Sequence, residues 1–220
     1  MGWGAQWAIP MTTETGLLSL VQWLSPAFPL GSFAYSNGME TAIASGAVHD
    51  AASLERWLVD IVYYGAGRSD AILLLEAMRG TSAIEETAAA LAPSRERWLE
   101  TLAQGTAFVT TVNALNDSNW PPCALPVAVG RAATALAVAP TRVVALYLHA
   151  FVSNLVSVAV RFVPLGQTDG QRVLAALHPV IETLSARVQT ATLDDIASAT
   201  FGADMAAFEH ETLDVRLFKT

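Results

Sequence analysis

From Val143 to Val160 the chain runs through eighteen residues without a formal charge. A stretch that long and apolar has two homes, a bilayer or the centre of a helical body. His149, Ser153, Asn154 and Ser157 argue against lipid, and three of them crowd within five residues. The flanks also lack an aromatic belt and clustered cations. The stretch therefore reads as a buried central helix or one half of a subunit interface; a membrane-associated helical protein with a span near 143–160 is the alternative.

Apolar residues recur at helical spacing on both sides of it. The first helix is expected from about Glu14 to Leu24, with Leu17, Leu20, Val21 and Leu24 on one face. Leu54, Trp57, Leu58, Ile61 and Val62 make a stripe on Ala51–Tyr64. Gly65 and Gly67 interrupt it, and Ser69 is placed to cap a helix over Asp70–Arg79 that Gly80 ends. Ser82 and Glu85 have capping-box spacing. A long helix follows from Ser94 to Leu115, with Trp98, Leu102, Thr106, Val109 and Val112 in register. Residues 116–125 read as a polar loop, and Pro126 suits the first turn of the next helix. Thr141 is expected to cap a helix reaching Phe162, which Pro164 stops. Thr168 and Gln171 form a second box before one regular helix carrying Val173, Leu174, Leu177, Val180, Ile181, Leu184 and Val188. Thr192 with Asp195 caps a short helix, and a last one covers Asp204–Glu211. No alternating strand pattern of useful length interrupts this, so the expected fold is all-α: a single-domain helical bundle of about nine to ten helices. Residues 1–12 read as a flexible N-terminal extension, 13–212 as the body and 213–220 as a tail.

Between the first two long helices lies SPAFPLGSFAYSNGMETAIASGAVHD, Ser25 to Asp50. Pro26 and Pro29 withdraw two backbone donors, while Gly31 and Gly38 permit conformations that a side chain forbids. Met39–Ala44 reads as a short helix closed by Gly46, and Asp50 as the next N-cap. So long and apolar a loop is functional or packed into something.

Composition narrows the chemistry. Charged residues make up 15% and apolar residues 53%, against roughly 25% charged in an average globular chain, which points to an interface beside the core. A net charge of −8 removes the basic footprint of nucleic-acid binding. The only lysine is Lys219, so no P-loop is possible. Cys123, His49, His149, His178 and His210 are scattered singly, without zinc spacing or a histidine tract. His210 beside Glu211 is one pair, better suited to a hydrogen-bonded role than to a metal. Ser32 and Ser36 sit in a loop like some nucleophiles, but no His/Asp motif accompanies them, so an all-α hydrolase is the weaker rival. No catalytic residue and no metal ligand is assigned. The single cysteine fits a reducing, cytoplasmic compartment.

Three separated runs, LLSLVQWLSPAFPLGSFAYSNGMETAIASGAVHD, SNLVSVAVRFVPLGQTDGQ and HETLDVRLFKT, stand in one order along the chain. Together they resemble the urease accessory protein UreF family, whose N-terminal pattern is L-SP-LP-G-F-YS-GLE-A---G-V-D. Met39 replaces the usual leucine, and Lys219-Thr220 stand where arginine and serine are commoner. The resemblance implies an all-α, homodimeric, non-enzymatic adaptor. It implies as partners UreD (also called UreH), the GTPase UreG and apo-urease, with nickel and GTP handled by the complex and no cofactor bound by this chain. It implies partner-binding roles for Tyr35, Ser36, Gly38, Glu40, Arg161, Gln167, His210, Glu211, Arg216, Leu217 and Phe218. From the residues alone, Arg161 suits a cap on the last carbonyls of its helix or a carboxylate partner. Tyr35 suits an interface. Leu217 and Phe218, between two cations, suggest a tail that docks on a partner and whose removal leaves melting nearly unchanged.

Overall fold

A computed structural model describes residues 12–220. Of the expected flexible extension, 1–12, all but Thr12 lies outside the described residues; Thr12 caps the first helix, its Oγ1 accepting the Thr15 N–H at 3.2 Å. The described chain is all-α, with eleven α-helices and three short 3-10 turns. These are α1 (Thr13–Trp23), α2 (Met39–Ala44), α3 (Ala51–Tyr64), α4 (Ala66–Arg79), α5 (Ile84–Ala90) and α6 (Arg95–Asn116). They continue as α7 (Leu125–Ala133), α8 (Pro140–Phe162), α9 (Gln167–Ala176), α10 (His178–Arg187) and α11 (Phe201–His210).

The apolar run became the central helix, α8, which packs on α1, α2, α3, α4, α9 and α10. It is the one helix among the described residues long and apolar enough to cross a membrane, and 50% of its apolar window is buried in protein. Val143, Val144, Leu148, Val152, Leu155 and Val158 form the buried side. His149, Ser153, Asn154 and Ser157 instead line a cleft of about 790 Å³. The residues that argued against lipid thus face solvent in that cleft.

Beneath α8 the helices approach until main chains touch. A methyl group on Gly130 of α7 would lie 2.3 Å from the Leu74 carbonyl oxygen of α4, and one on Gly105 of α6 would lie 1.9 Å from that of Cys123. Only hydrogen fits at either position, and the contact gains dispersion across a wide front of small residues.

Several local expectations change. Gly65 marks a corner, but α4 starts at Ala66, and the Ser69 hydroxyl donates back to the Gly65 carbonyl at 3.3 Å instead of capping. Ala83, with φ 54°, precedes α5, so the Ser82–Glu85 box does not form. Ala139 and Gly166 occupy the N-cap positions foreseen for Thr141 and Thr168. Pro140 and Pro179 are the reason for two of these differences: proline starts a helix readily and cannot continue one. Pro179 splits the regular apolar helix into α9 and α10 at Leu177, although Val173, Leu177, Ile181 and Leu184 remain buried in one row. In α1, Val21 is 54% exposed and Trp23 is buried. Asp50 is the foreseen N-cap, closing a reciprocal box with Ser53, and Thr192 with Asp195 makes another.

Candidate functional site

The tail lies in a slot between the 31–40 loop and the first turns of α6. Gly38 sets the geometry. It has φ 74°, and a Cβ there would lie 2.9 Å from the Ala207 nitrogen of α11, so glycine is required by both conformation and space. This contact brings α11 against α2 and aims Glu40 and His210 at each other.

His210 is fully buried. Its Nδ1 lies 2.8 Å from Glu96 Oε2 and its Nε2 lies 3.2 Å from Glu40 Oε2. A neutral imidazole donates through one nitrogen only, so the two contacts need either a doubly protonated ring or a proton on one carboxyl. Glu40 also accepts the main-chain N–H groups of Leu217, at 3.0 Å, and Phe218, at 3.1 Å. Glu96 is paired with Arg216, and the Glu96 amide donates to Glu211 Oε1 at 3.1 Å. Farther along, the Lys219 amide donates to the Ala34 carbonyl at 2.8 Å and the Ser36 amide to the Thr220 carbonyl at 2.9 Å. The Ser36 hydroxyl also donates to that oxygen. Thr220 Oγ1 donates to Glu100 Oε2 at 3.0 Å. Lys219 Nζ sits 5.7 Å from the centre of the Tyr35 ring, and Phe218 meets Phe162 of α8 edge-on at 5.3 Å.

A second layer lies underneath. Glu100 takes Gln104 Nε2 at 3.1 Å and Arg97 at 3.3 Å. Arg97 reaches Asp70 at 2.6 Å, and the Tyr147 hydroxyl donates to the same carboxylate at 2.8 Å. Burial raises the pKa of Glu100, with Arg97 and the Thr220 hydroxyl opposing it. Burial works against the Arg97 charge, and the neighbouring Asp70 and Glu100 more than offset it, so the guanidinium pKa rises. Tyr147 is raised well above the phenol range, first by burial and then by Asp70. Tyr35 is raised by burial and by Glu100.

Magnitudes show how firmly the tail is held. Fixing five residues costs about 5–10 kcal/mol. Burying Phe218 returns roughly 2–3 kcal/mol, and hydrogen bonds to the two carboxylates add about 1.5–3 kcal/mol each. The bonds of Thr220 to Glu100 and Ser36, and of the Lys219 amide to Ala34, add to this gain and keep the tail docked.

Nine of the eleven foreseen residues meet here. Arg161 and Gln167 do not: they line the 790 Å³ cleft. Arg161 is exposed and donates to Ser157 Oγ at 3.4 Å in place of the foreseen carbonyl cap. The tail is docked on its own chain, with Phe218 buried and Leu217 68% exposed. Glu96, Glu100, Gln104 and Arg97 went unnoticed in the sequence, and Thr220 stood out only as a departure from the family pattern. Their signal is the four-residue spacing of Glu96, Glu100 and Gln104, a polar stripe on α6 that ordinarily reads as a wet face. Trp98, Leu102 and Thr106, foreseen as the buried side, are half-buried.

Neither loop serine has an imidazole partner: the Ser36 hydroxyl donates to Thr220 and that of Ser32 to Gln104. Among the described residues no three His, Cys, Asp or Glu side chains converge to hold a metal ion. The structure does bring together two histidines that looked isolated, His149 and His178.

A family model described as UreF matches residues 48–178. A protein of Cereibacter sphaeroides named urease accessory protein UreF is 59% identical over 209 residues, covering 94% of this chain and 100% of its own length. A protein of the same name from a Jannaschia species is 50% identical, covering 93% of this chain and 94% of its own. One from Rhodopseudomonas palustris is 45% identical, with 97% of both chains covered.

Proposed function

The chain belongs to the UreF family of urease accessory proteins, and from that premise we propose that it is a non-enzymatic adaptor in urease maturation. It binds UreD/UreH, recruits the GTPase UreG and brings both to apo-urease, where GTP hydrolysis accompanies nickel insertion. It works in the cytoplasm as a homodimer and holds neither nucleotide nor resident cofactor.

The observation that carries this reading is the distribution of exposed apolar side chains. Phe201, Met205, Phe208, Val215 and Leu217 are 40–79% exposed, all near the tail and α11. Residues held in place yet left apolar in water are what a protein partner covers. This face is the one for UreD/UreH, with the docked tail as its template. Val21 and Phe33, exposed apolar side chains that line the cleft beside α8, mark the face for a second copy.

The test is co-expression with UreD/UreH, UreG and apo-urease. Leu217→Ala combined with Phe208→Ala is expected to keep the helical spectrum and lose co-purification with UreD/UreH together with nickel-dependent urease activation. Wild-type capture by that variant would remove the C-terminal face from the reading. Wild-type urease activation without this chain would remove the adaptor role itself.

A further inference from the structure

We propose that His149 and His178 form a two-histidine seat for a borderline d-block dication, of the copper, nickel and zinc class. His149 stands midway along α8. His178 opens α10, because Pro179 breaks the apolar row one residue later and turns the chain there. The fold thereby sets the two rings 5.5 Å apart, centre to centre, with their planes inclined at 41°.

That spacing fits a shared ion. A metal bonded to an imidazole nitrogen at about 2.1 Å sits roughly 3.2 Å from the ring centre, so two rings on one ion have centres about 4.5–6.5 Å apart. Among the described residues neither ring hydrogen-bonds to protein. The other two histidines are engaged: His49 with the Gly46 carbonyl at 2.9 Å, His210 with its two glutamates. His149 is half-buried on the wall of the cleft, while His178, outside the cleft lining, is exposed, so an ion reaches the pair from the His178 side. Burial, and then His178 itself, lower the pKa of His149, which favours the uncharged ring that a metal needs.

The donor set selects the ion. Imidazole suits copper, nickel and zinc, whereas calcium and magnesium require oxygen. No further His, Cys, Asp or Glu joins the pair, so water fills the remaining positions and the ion exchanges readily, unlike one in a closed structural site. Bound, it would cross-link α8 to α10 along one wall of the cleft.

The experiment is titration of the purified full chain with Cu²⁺ alone, followed by electron paramagnetic resonance, and with Zn²⁺ alone, followed by thermal melting. One Cu²⁺ per chain is expected, with splitting from two imidazole nitrogens, and Zn²⁺ should raise the melting temperature. His178→Ala and His149→Ala should each weaken Cu²⁺ binding at least about tenfold, since even outer-shell partners cause that loss, and should abolish the Zn²⁺ shift. His49→Ala should leave both readings unchanged. Since His178 is exposed, its variant tests the seat even where that of His149 folds poorly. Unchanged binding in His178→Ala, or one ion per two chains, would overturn the proposal.

Discussion

The α4–α6–α7 contact and the tail slot are both buried, and they are built from opposite materials. In the first, Gly105 and Gly130 let main chains meet, and α7 buries Val127, Ala128, Val129, Ala132 and Ala133 there. In the second, Glu40 holds the tail by two amides, Glu96 by the Arg216 guanidinium and Glu100 by the Thr220 hydroxyl, while Ser36 donates to its last carbonyl. The first arrangement has no substitute, because nothing but hydrogen fits. The second exchanges one set of hydrogen bonds for another, and water or a partner chain offers the same groups. Burial alone therefore does not tell which part of the molecule is permanent.

The sharpest way to break this contrast is Gly105→Ala. Its new methyl group would stand 1.9 Å from a carbonyl oxygen, so roughly 3 kcal/mol or more of stability should be lost, read as melting temperature and soluble yield. A variant that melts like the wild type would mean the helices have room to part. Leu177→Ala, at a fully buried position, should cost about 2–5 kcal/mol in denaturant unfolding. His210→Ala leaves two carboxylates facing each other without their common partner and should cost about 1–3 kcal/mol. Trypsin should also cut after Arg216 faster in that variant, and an unchanged cutting rate would show that the tail does not depend on this ring. Smallest of all is Leu217→Ala, expected within about 0.5 kcal/mol of wild type while capture of UreD/UreH drops. Equal losses of stability from Leu217→Ala and Leu177→Ala would erase the distinction between the two regions.

The helical body was legible because its signals are local. Asp50 with Ser53, Gly46 and Gly80 act within one turn, and the rows Leu54–Val62 and Val173–Val188 declare their faces by spacing. Where proline and a hydroxyl competed for the same helix start, as at Pro140 and Thr141, proline prevailed because its φ is already helical. The site was legible only in half. Tyr35, Glu40 and Arg216 stand in runs that resemble the UreF family, whereas Glu96, Glu100 and Gln104 look like an ordinary solvated stripe. What meets Glu96 and Glu100 is a tail more than a hundred positions away, and no periodicity reports that. His149 and His178 escaped for the same reason: their proximity depends on a break at Pro179, which the unbroken apolar spacing conceals.

The pairing of Ser36 with Thr220 joins positions 184 residues apart, which sets an order of events during synthesis. At about 5–20 residues per second, the ribosome needs roughly ten to forty seconds to make what lies between them. Helices and their packing form far faster than that. Glu40 on α2 and Glu96 in the first turn of α6 are consequently in place before the tail that meets them exists. For those seconds the nascent protein offers these two carboxylates, not yet joined by His210, to any segment that can present two amides and a cation.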